Sequence, residues 1–233
     1  MNLIDLFVIL VFVFCIVFAM YRGFLNSVMK AGASLVSMIA AFILHPVLSW
    51  ILGGQGMING LINYTEGAKK LADASMSSVP VSGMTHEALA NLVDTSTLMT
   101  PFNRLVKGNL MGESFAGRGL TTVGQYFDHT VAEASLNILC FLILFLIIRI
   151  TLGVLINIMD YQTPFPVLIH NDTLFAALSG FAQAFILCYV IFFITPVVLS
   201  VFNMTAIVDY FNGSFFGSFF YKTNLFFLLI GGR

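Results

Sequence analysis

Charge is what this chain has least of. Asp, Glu, Lys and Arg make up 9% of its 233 residues, where soluble domains carry about 25%. With 59% hydrophobic residues, a water-soluble fold of this length lacks the polar surface to cover itself. A formal net charge of −1 excludes the broad basic field of a nucleic-acid binder, so no nucleic acid is expected as a partner. Tryptophan is nearly absent, one against 25 phenylalanines, so there is no rich tryptophan belt at a membrane surface. The cysteines, Cys15, Cys140 and Cys188, are three in number, lack CxxC spacing and lie in apolar runs. That excludes a disulfide framework and a zinc site, and they read as small apolar side chains.

The signatures of soluble enzymes are missing too. His45, His86, His129 and His170 are scattered, with no HExxH, so no metal is expected. No glycine-rich phosphate loop with lysine is present, which excludes an ATP-driven motor. The stretch Gly112-Glu113-Ser114-Phe115-Ala116 departs from GxSxG at its last position, in a segment too short for the sheet such an elbow needs. Ser34 and His45 are eleven residues apart on one helix, about 16 Å by helical rise, so they cannot form a nucleophile–base pair. Neither a catalytic residue nor a cofactor is expected.

What is there is oil in long runs. Residues 3–21 form the first, about 28 Å as a helix and enough to cross the hydrocarbon core. Asp5 stands where a secretory signal would carry Lys or Arg, so this run reads as a retained first span. Residues 24–45 form the second run, ended by His45-Pro46 because the residue before proline avoids the helical region. Residues 135–159 are the third, and 173–195 the fourth, closed or kinked at Thr195-Pro196. Residues 53–130 are richer in Gly, Ser, Thr and charge. They hold amphipathic patterns at Ile58–Ala72 and after Thr100-Pro101, where threonine suits an N-cap and proline the first helical position. The last residues are apolar but interrupted at Lys222, Thr223 and Asn224, so each piece is too short to span.

The expected fold is therefore all-α: a polytopic membrane protein with about four transmembrane helices in two hairpins and a polar helical insert. Its divisions are a first hairpin 1–50, an extramembrane insert 51–132, a second hairpin 133–203 and an interfacial or re-entrant tail 204–233. The chain turns where it meets water or protein, because lipid cannot satisfy backbone polar groups. "MYRGFLNS", residues 20–27, is such a turn: Arg22 reaches headgroups, Gly23 permits the corner, and Lys30 snorkels back to the same side. The positive-inside rule makes that side cytoplasmic and puts the insert outside. Small residues recur every fourth position at Gly23, Ser27 and Ala31, at Ala33, Ser37 and Ala41, and at Ala176, Gly180 and Ala184. Such seams bring helices close in lipid, so spans two and four are expected to meet each other or a copy in a homo-oligomer. A faint half-to-half symmetry pairs Ala19-x-x-Arg22-Gly23 with Gly180-x-x-Gln183-Ala184.

Few residues could carry function inside the bilayer. Arg149 lies near the middle of the third run, where a charge is costly and faces protein or water. Gln183 falls at similar depth in the fourth run and is its expected partner. Asp5, in the first turn of span one, suits the positive end of the helix dipole; a proton relay is the alternative. Asn137 and Asn157 read as interfacial, and Asn171-Asp172 as a cap on span four.

The opening stretch, with Asp5 at the head of span one and Arg22-Gly23-Phe24 at the first turn, resembles the colicin V production (CvpA) family. A second stretch fits its other signature: Asp172 as the acidic residue, then Ala176 and Gly180 at the small positions, with Ala184 in place of the last glycine. Thr173 stands where the family has arginine, and Gln183 where it has a basic residue. The resemblance covers both hairpins. It implies a bacterial cytoplasmic (inner) membrane protein of about four spans, supporting production or export of a peptide toxin or envelope homeostasis. A channel or secondary transport element is one form of that role. A non-transporting scaffold that binds envelope partner proteins is the other.

Overall fold

The structure is a computed structural model describing residues 2–162, 171–202 and 205–231. Pro164, Pro166 and His170, read above as part of a turn and as a scattered histidine, lie outside the described residues. The fold is all-α. Its helices are α1 (Leu3–Arg22), α2 (Phe24–Leu52), α3 (Gln55–Thr65), α4 (His86–Thr95), α5 (Phe102–Met111), α6 (Val123–Gln162), α7 (Asp172–Phe192), α8 (Thr195–Val201), α9 (Thr205–Asn212), α10 (Phe215–Lys222) and α11 (Phe226–Leu229). Four stretches are long and apolar enough to cross a membrane: α1, α2, α6, and α7 together with α8. The chain is a multi-pass integral membrane protein on that length and composition.

Two compact units divide the described chain in a way the linear segments did not anticipate. One comprises Met1–His45, Phe141–Phe193 and Thr205–Asn224; the other comprises Pro46–Cys140, Ile194–Met204 and Leu225–Arg233. The first exposes much of its oil and buries a stripe of polar side chains beside an apolar core that includes Val8, Phe141, Phe145 and Phe193. Leu3, Leu10, Phe14, Val17, Ile39, Ile147 and Leu178 are exposed, while Asn26, Ser27, Lys30, Ser34 and Ser37 are buried. That pattern suits lipid as the solvent, where polar groups turn toward protein. The second unit has a water-type core over the insert: Leu89, Val93, Phe102, Val106, Leu110, Phe115 and Phe127 are buried. From Thr65 to Leu142 no large apolar side chain is exposed. Its tail is held by hydrogen bonds: Arg104 Nη2 donates to the Phe227 carbonyl at 2.6 Å, and Asn137 Nδ2 to the Gly231 carbonyl at 2.7 Å. Asn137 is thus a structural tie.

Four helix boundaries differ from the sequence expectation. Span two does not stop at His45: α2 continues through Pro46 to Leu52. A proline inside a helix removes one hydrogen bond and orphans the carbonyl four residues back. Here that is Phe42, and the buried His45 ring supplies the missing donor, Nδ1 to Phe42 O at 2.9 Å. Span three is longer than 135–159, because α6 runs 40 residues from Val123 and its exposed apolar face begins only at Ile143. The amphipathic pattern over 58–72 breaks at Glu66, whose backbone is left-handed (φ +46°). A smaller shift occurs at α5, which begins at Phe102 with Pro101 in the cap position. The break expected at Thr195-Pro196 is present between α7 and α8.

The tail of the first unit packs instead of spanning. α10 is eight residues long, and its Phe220 ring lies 5.3 Å from Phe185, 5.2 Å from Tyr189 and 6.3 Å from Phe12. It therefore wedges against α1 and α7.

Candidate functional site

The corner between α1 and α2 is made by one residue. Gly23 has φ +83° and ψ 168°, a region that L side chains avoid, and its N–H closes α1 onto the Ala19 carbonyl. Asp172, the first residue of α7, reaches this corner: its Oδ2 accepts from Phe24 N at 3.1 Å. A Cβ at Gly23 would lie 3.1 Å from the same oxygen. The end of α6 arrives there too, because Asn26 Nδ2 donates to Asp160 at 2.7 Å. The start of α2, the end of α6 and the start of α7 thus gather on one side.

The small residues of α7 seat it on α1. Ala176, Gly180, Ala184 and Cys188 form its buried ladder. A Cβ at Gly180 would meet Ala19 Cβ at 2.7 Å and the Cys15 carbonyl at 2.7 Å. The expected pairing of spans two and four is corrected to this extent: they touch through Phe24 and Phe175, 5.7 Å apart, but the glycine seam of α7 belongs to α1. The polar stripe of α2 turns toward α6 and α1. Ser27 Oγ donates to the Ala19 carbonyl at 3.0 Å, Lys30 Nζ lies 4.9 Å from the centre of the Phe18 ring, and Ser34 Oγ accepts from Arg149 Nε at 2.8 Å. Gly23 and Ala31, also in the expected seam, are only partly buried.

Between these helices lies a cleft of about 660 Å³, within the range of about 300–1,000 Å³ typical of small-molecule sites. Three cations line it, Arg22, Lys30 and Arg149, with Asn26, Asn157 and Gln183 as neutral partners. Ser27 lines it too, the other walls are largely apolar, and among the described residues no carboxylate lines it. Ser34 is eleven residues beyond Gly23, so Arg149 sits about 16 Å from the corner, near the middle of a hydrocarbon core of roughly 30 Å. Gln183 is one turn beyond Gly180, which faces Cys15 and Ala19, so it shares that depth.

The sequence-selected residues separate into two places. Arg22, Arg149 and Gln183 line this one cleft. The hydrogen bond of Arg149 goes to Ser34, not to the expected Gln183. Asp5 is elsewhere, 1% exposed at the far end of α1. Its Oδ1 accepts from Ser214 Oγ at 2.7 Å and Phe216 N at 2.9 Å, and its Oδ2 from Asn2 N at 3.1 Å. It is the N3 member of a capping box whose N-cap is Asn2, and a tie to α10, with three donors engaged.

Lys30 has a place in the cleft that the snorkelling expectation did not include. Read as a snorkelling anchor, it is only 8% exposed and faces the cleft against Phe18. The signal was available: Asn26, Ser27, Lys30, Ser34 and Ser37 recur at helical spacing through an apolar helix, a polar stripe that must face protein. Asn157, read as interfacial, lines the cleft as well. No protein-family profile, curated protein or solved structure matches this chain.

Proposed function

We propose that this chain is a bacterial inner-membrane transport element of the CvpA type, serving toxin production and export or envelope homeostasis, with the cationic cleft as its substrate path. The observation that carries the reading is the convergence of Arg22, Lys30, Arg149 and Gln183 on one cleft among the candidate spans. A charge at that depth is costly unless it faces protein, water or a counter-ion, and a cleft provides room for the last two. The stretches on which the resemblance rests are neighbours in the fold. They meet, Phe24 N on Asp172 and Gly180 on Ala19, so residues far apart in sequence build one corner.

The second reading is a membrane scaffold that binds envelope partners. It is favoured by the Arg149–Ser34 bond, which ties the arginine locally, and by an insert that folds around its own core. The test is a host carrying Arg149→Ala at the wild-type protein level. The transport reading expects impaired toxin export or envelope integrity, and the same from Gln183→Ala to a lesser degree. The scaffold reading expects both to be silent, while charge reversals on the exposed face of the insert, such as Lys69→Glu, are not.

A further inference from the structure

We infer that the cleft holds an anionic phospholipid drawn from the surrounding bilayer, its phosphate between Lys30 and Arg149 and one acyl chain along the apolar half of α1. The inference rests on the reading of the cleft as a substrate site and names what occupies it. The cleft is polarised along its length. Register contacts place Ser27 beside Ala19, Lys30 beside Phe18, and Arg149 at Ser34, so the cations occupy the half nearer the Gly23 corner. Beyond Arg149 the lining residues Phe7, Leu10, Leu187 and Ile191 offer only carbon.

Charge complementarity selects an anion. Among the described residues the ion pairs are Lys69–Glu66, Lys107–Asp94 and Arg118–Glu133, and none involves Arg22, Lys30 or Arg149. Of the two acids at the corner, Asp172 accepts from Phe24 N and Asp160 from Asn26; Asp160 is close enough to act on Lys30, but neither lines the cleft. Lys30 and Arg149 therefore face the same space without a carboxylate between them, in a medium where an uncompensated cation is costly. A phosphate suits the planar donors of an arginine and the point charge of a lysine.

The walls select an amphiphile instead of a free ion. Leu10 and Phe14 line the cleft and are also exposed, at 57% and 69%, so the cleft wall continues into the lipid-facing surface of α1. A lipid can enter sideways without leaving hydrocarbon. Its head would then be drawn from the Arg22 level, at the boundary, toward Arg149 near mid-depth. A small hydrated anion would gain nothing from those apolar walls.

Native mass spectrometry of the full chain, released from micelles containing equal amounts of phosphatidylglycerol and phosphatidylcholine, tests this. Retention of phosphatidylglycerol over phosphatidylcholine by about tenfold or more is expected, as for one charge-assisted contact. The double variant Lys30→Gln/Arg149→Gln should abolish that preference, and Lys222→Gln should not. Inorganic phosphate should not displace the lipid. Equal retention of the two lipids by the wild-type chain would overturn the inference, whatever the variants do. So would displacement by inorganic phosphate, which would mark a small-anion site, or a double variant that keeps the preference. Binding is read here without any flux. Selective retention in a chain whose Arg149→Ala variant leaves the host unaffected would sink the transport reading and leave this one standing.

Discussion

Gly23 is held at φ +83° and ψ 168° because α1 must end and α2 begin with no linker between them. Alanine there has to occupy a region that costs about 1–3 kcal/mol, and its methyl would crowd Asp172. Gly23→Ala is expected to lower the thermal unfolding midpoint in detergent; an unchanged midpoint would mean the corner bears no strain. His45 acts at the same scale by a different device. Its ring donates to the carbonyl whose helical donor Pro46 lacks, so His45→Ala should cost about 0.5–1.5 kcal/mol, the range for one lost hydrogen bond. In a Pro46→Ala background the backbone N–H returns and the same histidine substitution should cost much less. A double-mutant cycle with no coupling would show that His45 serves something other than the proline. Both residues carry sequence signals, glycine after arginine and histidine before proline. The second signal misleads when read alone, because a side chain can replace the bond that proline removes.

Helices meet here through small residues and rings. The Gly180 backbone lies so close to Cys15 and Ala19 that an added methyl must push α7 off α1. Overpacking of this kind costs about 1–3 kcal/mol, so Gly180→Ala should destabilise the first unit, and Gly180→Leu more. Unfolding in a denaturing detergent titration reads this, and Gly56→Ala, where a Cβ meets nothing within 4 Å, is the control. α10 depends on Phe220, which is 2% exposed among rings of α1 and α7. Phe220→Ala is expected to cost about 3–5 kcal/mol, and to raise hydrogen exchange over 215–222 first. Exchange that stays at the wild-type level would mean α10 is held by Asp5 and Ser214 alone. The small-residue ladder of α7 could be read from its fourfold spacing; its partner could not. Spacing marks a face, and only the docking of α1 against it says which helix fits.

At the scale of the molecule, the candidate spans of the first unit expose long apolar faces, whereas the insert in the second unit keeps its large apolar side chains covered. The chain is therefore expected to stay in the membrane fraction through high salt and alkaline washes and to leave only with detergent. Release by salt alone would mean that the four apolar helices do not cross. We propose, from the positive-inside rule, that the Arg22 corner faces the cytoplasm. With the native cysteines replaced by alanine, Tyr21→Cys should react with an impermeant maleimide only from the cytoplasmic side. If α2 crosses once, as its length and composition allow, Lys69→Cys should react only from the opposite side. Labelling of both from one face would remove the topology.

Composition alone settled the solvent: 9% charge and 59% hydrophobic residues leave lipid as the medium, and helices as the only way for such runs to cross it. The number of spans and the corner at Arg22-Gly23 follow from run length and from where the backbone can turn. Tertiary structure decided which cations share a space. Arg22, Lys30 and Arg149 are up to 127 residues apart in the chain, and nothing in their spacing says that one cleft collects them. That depends on Gly180 letting α1 and α7 close, on Asp172 pinning the corner, and on Ser34 receiving Arg149. Periodicity is a property of one helix, whereas a site made by four stretches of chain exists only once their packing has fixed the distances between them.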